Sequence, residues 1–180
     1  IGVAISPVQL EATCLKVITE EMAPFNYVEE GKVTGFSVKI VEHLIKTTGV
    51  CLERDKILFW PWKRAYQAAL EEANVMLFTT TRSPSREDLF KWVGPLYPRE
   101  QVLFKLKANK DIQITSLEDA KKHKVLATNK SANYEFLIKN GFEPGKNIVT
   151  VNLVDSKVKM FLSGRADIAF FIPIEIAYHL

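Results

Sequence analysis

The sequence contains only two cysteines, Cys14 and Cys51, and neither belongs to a CxxC pair or to a cluster of cysteines and histidines. This scarcity excludes the usual zinc-binding patterns, and we expect neither a metal site nor a cofactor. Two interpretations of the cysteines stay open, namely two buried free thiols or one disulfide bond between the starts of neighbouring strands. A disulfide bond would indicate an oxidising compartment.

The sequence also has no block of like charge and no long apolar run. Its 24 lysines and arginines are scattered among 21 acidic residues, for a formal net charge of +3, and no basic stripe is interleaved with aromatics. We therefore expect no nucleic-acid partner. No apolar run approaches the roughly 18 residues of a membrane-spanning helix. With 47% hydrophobic residues, the 180-residue chain can bury one sizeable core or two small ones.

Short apolar strands and amphipathic helices alternate along the chain, which predicts an α/β fold with mostly parallel sheets flanked by helices. Predicted strands occupy residues 15–21, 55–60, 74–78, 100–108, 124–129, 147–152 and 166–171. Predicted helices occupy residues 35–49, 61–73, 115–123, 131–141 and 155–164, and another begins at 173. The pattern restarts after residue 108, so we expect two lobes, 14–103 and 104–180. Residues 1–13 are either the remnant of a processed signal or a loose arm.

Hydroxyl groups and arginines follow the third predicted strand, in the segment TTTRSPSRED at residues 79–88. Ligands of open parallel sheets bind beyond the carboxyl ends of the strands, where helix N-termini favour anions. Ser83 is expected to cap a short helical turn that carries Arg86, whose guanidinium suits a carboxylate. Thr79 and Thr81 add hydroxyls. The alternative is that Arg86 is a surface residue paired with its acidic neighbours.

The second unit repeats this arrangement after the strand at 124–129. Ser131 opens a helix there, and the backbone N–H groups of Ser131 and Ala132 are expected to approach the same anion from the other side. The ordinary alternative is that Ser131 only caps its helix. Aromatic residues, among them Phe25, Trp60 and Trp62, also follow the first two strands, so they predict a small-molecule pocket or else belong to the core.

Three stretches resemble bacterial extracellular solute-binding proteins of family 3, the polar amino-acid-binding group of ABC importers. They are TEEMAPFNYVEEGKVTGFSVKIVEHL, TTTRSPSREDLFKWVGPLY and GRADIAF, and the resemblance runs from about Leu15 to the end of the chain. It implies a periplasmic-binding-protein-like fold of type II, with two lobes that close around a hinge.

The resemblance also implies roles for individual residues. Arg86 would hold the carboxylate of the ligand with help from Thr81, Phe25 would stack on the ligand body, and Ser131 and Ala132 would complete the site from the second lobe. Members of the family usually place an aspartate after a strand of the second lobe to bind the ammonium group. Ile172 stands at that position here, so either Glu20, Glu21 or Glu175 takes this role or the ligand is not an ordinary amino acid.

The chain stops at Leu180, whereas the resemblance implies a return to the first lobe. We therefore expect the second lobe to be incomplete.

The function that the resemblance implies is a periplasmic receptor that captures a small carboxylate-bearing solute, such as an amino acid. We expect it to be a monomer that delivers this solute to an ABC permease in the membrane. Two alternatives stay open, namely an enzyme on the same fold, resembling dehydratases, and an extracellular sensor domain of a signalling protein. No nucleophile or metal pattern supports the enzyme, so we expect a protein without catalytic activity.

Overall fold

The computed structural model describes residues 14–53 and 56–180. The predicted arm at 1–13 and residue 55 of a predicted strand lie outside the described residues. The strands are β1 (Lys16–Thr19), β2 (Tyr27–Glu29), β3 (Lys32–Thr34), β4 (Leu58–Phe59), β5 (Val75–Leu77), β6 (Val102–Lys105), β7 (Val125–Thr128), β8 (Ile148–Val151) and β9 (Ile168–Phe171). The helices are α1 (Phe36–Thr48), α2 (Trp62–Glu71), α3 (Leu117–Ala120), α4 (Ala132–Lys139), α5 (Val154–Leu162) and α6 (Pro173–Tyr178). In the described part of the chain, no helix is long and apolar enough to cross a membrane.

The first lobe is built on a parallel sheet of order β4-β1-β5. Ile18 of β1 aligns with Leu58 on one side and with Leu77 on the other. Because all three strands run in the same direction, their carboxyl ends meet at one edge of the sheet, where the chain continues into Glu20, Trp60 and Phe78. The parallel arrangement agrees with the sequence prediction.

The segment between β1 and α1, which has the turn-rich composition of a loop, contains a hairpin of β2 and β3. Tyr27 pairs with Thr34, and the turn places Glu30 and Gly31 at φ 49° and 75°. Positive φ at both central residues is typical of the turns that join short antiparallel strands. The strands have three residues each, which is too short for a clear alternating pattern in the sequence.

The apolar spacing predicts that α1 packs through Phe36, Ile40, Val41, Leu44 and Ile45, and only part of this face is buried in the structure. Val38 and Val41 are buried, whereas Ile40 and Leu44 are about two-fifths exposed at 38% and 41%. The helix has apolar residues on more than one side, so their spacing alone did not identify the face that packs on the sheet. Gly49 ends the helix in the left-handed conformation at φ 66°, as its position predicted.

The second lobe contains a four-stranded sheet of order β6-β9-β7-β8. β7 pairs in parallel with β8 and β9, while β6 pairs with β9 in the antiparallel direction. The core of this lobe lies on both faces of the sheet, with Leu137 and Phe142 on one side and Val158 and Phe161 on the other. The predicted lobe boundary at 103/104 falls within β6, and this division stays a prediction.

Cys14 and Cys51 are joined by a disulfide bond, with their Cα atoms 4.8 Å apart. The bond lies beside the start of β1, where the backbone N–H of Leu15 donates a hydrogen bond to the carbonyl of Cys51 at 2.9 Å. It therefore connects two neighbouring segments of the first lobe. The sequence left open whether the two cysteines are free thiols or form a disulfide bond, and the structure has the disulfide bond.

A cluster of apolar residues joins the two lobes. Met22 and Phe25, which follow β1, pack with Val154 and Ile172 from the second lobe and with Tyr97 from the connecting segment. The first four side chains are at most 6% exposed. The carboxyl ends of the strands in both lobes therefore face each other across a contact that excludes water.

Candidate functional site

Arg86 lies at the interface between the lobes and is 1% exposed. Residues 83–86 form a single turn that carries Arg86, in which the backbone N–H of Arg86 donates to the carbonyl of Ser83 at 2.9 Å. The hydroxyl of Ser83 lies 3.0 Å from that of Ser85, so its recorded partner is this side chain and not a backbone N–H of the turn. A short 3₁₀ helix, Glu87–Leu89, follows, with Arg86 at its N-cap position.

The guanidinium of Arg86 has partners from both lobes. Its carbon lies 4.7 Å from the ring centre of Tyr66 and 5.4 Å from that of Trp62, both on α2. From α4, the carboxylate of Glu135 accepts from Nη2 at 2.6 Å and from Nε at 3.2 Å. Among the described residues, Nη1 is buried and has no hydrogen-bond partner. Arg86 thus keeps one donor group for a further acceptor. The alternative that Arg86 is a surface residue paired with its acidic neighbours in sequence is wrong.

The loop between β7 and α4 contacts the same site through a carbonyl group. The oxygen of Lys130 accepts from Trp62 Nε1 at 2.9 Å and from Arg86 Nη2 at 3.4 Å. Ser131 caps α4, since its Oγ accepts from the N–H of Tyr134 at 3.3 Å. Its own N–H donates to the carbonyl of Thr128 at 3.1 Å and is therefore engaged within the loop. Ala132 begins α4 beside it and is partly exposed.

The two threonines of the predicted clamp have protein partners. Thr79 has φ 62° and is nearly buried, and its hydroxyl donates to the side-chain oxygen of Asn26 at 2.6 Å. Thr81 accepts a hydrogen bond from Nη1 of Arg99, which lies on the segment that connects the lobes. The structure therefore brings Thr81 near a second arginine that the sequence analysis did not select.

Phe25 and Ile172 both belong to the apolar cluster between the lobes. Phe25 is 2% exposed, and its ring stacks on Tyr97 with 4.6 Å between ring centres. Its edge meets the ring of Phe36 at 4.7 Å. At the position where the resemblance implies an aspartate, the side chain of Ile172 is buried against Met22 and Val154. An ammonium group has no acceptor in such surroundings.

Glu20 and Trp60 line a cavity of about 110 Å³ between the lobes. The other lining residues are Glu21, Phe59, Pro61, Leu153 and Val154. The guanidinium of Arg64 lies over the ring of Trp60 at 4.0 Å. The cavity thus combines two aromatic side chains, apolar side chains and two carboxyl groups, which is the type of lining that binds small molecules.

Burial raises the pKa of the Glu20 carboxyl to about 7, although Arg99 and Lys157 lower it and Glu175 adds to the rise. A carboxyl group with this pKa is only partly ionised at neutral pH. Since it lines the cavity, it can give up a proton when a cation binds beside it. Glu20 is therefore the carboxyl group best placed to interact with a positively charged solute.

Glu175, the third acidic candidate, is already paired. It is 1% exposed, its Oε1 lies 2.9 Å from Nζ of Lys157, and its Oε2 accepts from the backbone N–H of Ile172 at 3.3 Å. The Lys157 ammonium also lies 4.5 Å from the ring centre of Phe171. This buried ion pair connects α5 with α6 inside the second lobe, so Glu175 is not available to a ligand in the way that Glu20 is.

Several residues around the site were not predicted from the sequence, among them Glu135, Arg99, Tyr97 and Lys157. Glu135 lies four residues after Ser131, so it is on the face of α4 above the N-cap, and this spacing is a signal that the sequence offered. Arg99 and Tyr97 belong to an irregular segment, and Lys157 looks like a surface lysine in a polar stretch. Nothing in their local sequence indicates burial.

The profile of bacterial extracellular solute-binding proteins, family 3, matches residues 15–162. The chain belongs to this family. The family assignment and the two-lobed, type II periplasmic-binding-protein fold predicted from the sequence are both confirmed. A search of curated proteins finds no match.

Solved structures of binding proteins share the fold of this family 3 member. An ancestral arginine-binding protein bound to arginine is 22% identical, with a TM-score of 0.76, over 92% of this chain and 73% of that chain. The arginine-, lysine-, histidine-binding protein ArtJ from Geobacillus stearothermophilus is 18% identical, with a TM-score of 0.78, over 93% and 70% of the chains.

AncCDT-1 is an ancestral amino acid-binding protein described as a precursor of cyclohexadienyl dehydratase. It is 25% identical to this chain, with a TM-score of 0.74, over 92% and 73% of the two chains. Family 3 and these relatives are binding proteins, so the similarity favours solute binding over catalysis.

Proposed function

We propose that the protein is a periplasmic receptor for a small carboxylate-bearing solute, an amino acid or a related compound, which it presents to an ABC permease. The observation that carries this proposal is the placement of Arg86, buried between the lobes with Nη1 unpartnered among the described residues. A buried guanidinium nitrogen without an acceptor is unfavourable, and a carboxylate oxygen is the acceptor that suits it best. The solved relatives bound to arginine or glutamine support an amino acid as the ligand class.

Further contacts are proposed for residues of the cavity and of the loops that meet between the lobes. Trp60 and Glu20 would contact the body and the positive end of the solute in the cavity. Ser131 and Ala132 would approach the carboxylate from the second lobe, where the N–H of Ala132 is the better candidate because that of Ser131 already donates to the carbonyl of Thr128. Thr79, Thr81 and Phe25 would act mainly by holding the walls of the site, since each has a protein partner.

A thermal-shift screen with amino acids and small carboxylates tests the proposal. A true ligand at about one hundred times its Kd should stabilise the protein by about 2.7 kcal/mol, which corresponds to a rise in Tm of roughly 5 to 10 °C for a chain of this size. Amines without a carboxylate serve as controls. A screen in which carboxylates and amines shift the Tm equally, or in which no compound shifts it, would contradict the proposal.

Binding of an amino acid is expected to depend on pH through Glu20. The pKa of Glu20 is about 7, so below pH 7 the carboxyl holds a proton that must leave before it can pair with an ammonium group. The affinity should therefore increase by up to about tenfold per pH unit between pH 5 and 7 and level off above pH 7. Isothermal titration at several pH values measures this dependence.

Two controls isolate the contribution of Glu20. Glu20→Gln should remove the pH dependence, whereas Glu29→Gln, at an exposed residue of the same lobe, should retain it. The deaminated analogue of the same amino acid should bind without the increase toward pH 7. An amino acid whose affinity is constant from pH 5 to 8 would contradict the assignment of its ammonium group to Glu20.

A dehydratase-like enzyme is the second candidate, and one observation favours it. A carboxyl group with a pKa of about 7 in a cavity, such as Glu20, can donate and accept protons near neutral pH. Mass spectrometry of each compound recovered from the thermal-shift screen distinguishes the two functions. If the wild-type protein converts the compound and Glu20→Gln does not, the protein is an enzyme and not a receptor.

A further inference from the structure

Glu135 binds Arg86 in the arrangement that a ligand carboxylate would use. Its two oxygens take Nη2 and Nε, at 2.6 Å and 3.2 Å, so that the carboxylate meets one edge of the planar guanidinium with two hydrogen bonds. This two-point geometry is the strongest way in which a carboxylate can bind arginine. The pair bridges the lobes, because Arg86 follows β5 and Glu135 belongs to α4.

The surroundings of the pair hold it in one position. The rings of Tyr66 and Trp62 lie against the guanidinium, and the Lys130 carbonyl accepts from both Trp62 and Arg86. Lys130 has φ 56°, a conformation that is uncommon for residues other than glycine. This conformation sets the direction of the backbone in the loop before α4. Arg86 is 1% exposed and the Glu135 side chain 37%, so Glu135 is the partner that can move away into solvent.

A second arginine in the same segment forms a pair of the same kind without joining the lobes. Arg82 donates from Nε to Oε2 of Glu87 at 2.8 Å and from Nη2 to Oε1, and both side chains are well exposed. This pair lies within the first lobe and provides a matched comparison, since it has the same chemistry but neither the burial nor the position between the lobes.

We infer that Glu135 is an intramolecular occupant of the carboxylate-binding edge of Arg86, and that it decides which solutes this edge accepts. The inference rests on the proposed function, since it concerns the same arginine. Without a solute, Glu135 connects the lobes. A solute carboxylate can contact Nη1 beside Glu135, but it takes the two-point edge only by displacing Glu135. A weakly binding monocarboxylate is therefore disfavoured, and a solute with further contacts in the cleft is selected.

The first test measures the separation of the lobes without any ligand. Glu135→Gln removes the charge of the bridging carboxylate, so the radius of gyration from small-angle X-ray scattering should increase relative to the wild type. Glu87→Gln, which weakens the matched pair within one lobe, should leave it unchanged. An unchanged radius in Glu135→Gln, with a circular dichroism spectrum that shows intact folding, would overturn the bridging role.

The second test uses acetate, the simplest carboxylate, as the probe. Loss of the competing carboxylate should lower the Kd for acetate by about tenfold to one hundredfold in Glu135→Gln, as expected when a charged hydrogen-bond competitor is removed. Glu135→Asp keeps the charge on a shorter side chain and should give an intermediate Kd. Chemical-shift titration of the tryptophan N–H groups reports binding near Trp62.

The outcomes separate this inference from the proposed function. Equal acetate affinity in the wild type and in Glu135→Gln would overturn the competition while the carboxylate site stands. Acetate binding to neither protein would overturn both the competition and the proposed carboxylate site. Tighter binding in Glu135→Gln together with an increased radius would support the inference in full.

Discussion

Arg86→Ala is expected to weaken binding of the carboxylate solute by about one hundredfold or more, because truncating one partner of a buried, hydrogen-bonded charge pair commonly costs about 2 to 5 kcal/mol. Two effects add in the same direction here. The donor at Nη1 is lost, and Glu135 is left as an unpaired negative charge beside the place where the carboxylate would bind. Isothermal titration with the best ligand from the thermal-shift screen measures the change.

The neighbouring arginine supplies the control for this substitution. Arg82→Ala removes an exposed arginine from the same segment, whose partner Glu87 is also exposed, and the affinity should change by less than about twofold. The Tm of Arg86→Ala in the absence of ligand shows whether the fold survives. A folded Arg86→Ala protein that binds the solute as well as the wild type would exclude Arg86 from the site.

Lys157→Met is expected to lower the free energy of unfolding by about 3 to 5 kcal/mol, the range found when one partner of a buried ion pair is removed. Lys157 is 5% exposed and Glu175 1%, so the substitution leaves a carboxylate without its cation in the interior. Glu20 also loses a favourable positive neighbour. Urea denaturation followed by tryptophan fluorescence measures the change.

The double variant Lys157→Met, Glu175→Gln distinguishes the lost pair from a simple packing defect. Glutamine keeps an acceptor for the N–H of Ile172 but carries no charge, so most of the lost stability should return. Lys159→Met, at an exposed position of the same helix, should change the stability by less than about 0.5 kcal/mol. A double variant as unstable as Lys157→Met would show that the charge of Glu175 is not the cause.

The order of the main strands and helices could be predicted from the sequence because apolar periodicity and local capping signals determine them. Ser131 caps α4 as predicted, and Ser116 caps α3 in the same way, because a serine cap acts within one turn and leaves a local pattern. The buried face of α1 could not be predicted in the same way, because Val38 and Ile40 are equally apolar and only the position of the sheet separates them.

The candidate site could be predicted only in part, because it depends on how the lobes meet. The burial of Arg86 comes from Tyr66 and Trp62 of one lobe together with Glu135 of the other. Local chemistry favoured Glu87 or Asp88 as its partner, since both adjoin it in sequence. A contact between residues 49 positions apart leaves no local pattern, so neither Glu135 nor the engagement of the Ser131 N–H could be derived from the sequence.

The apolar cluster of Met22, Phe25, Val154 and Ile172 has a thermodynamic consequence for how the lobes come together. Separation of the lobes would expose these side chains to water, so the open form would have the higher heat capacity. Attraction through such a surface is largely entropic near room temperature and weakens on cooling. Contact between the lobes at Ile172, where the family resemblance implies a charged aspartate, is therefore expected to depend on temperature.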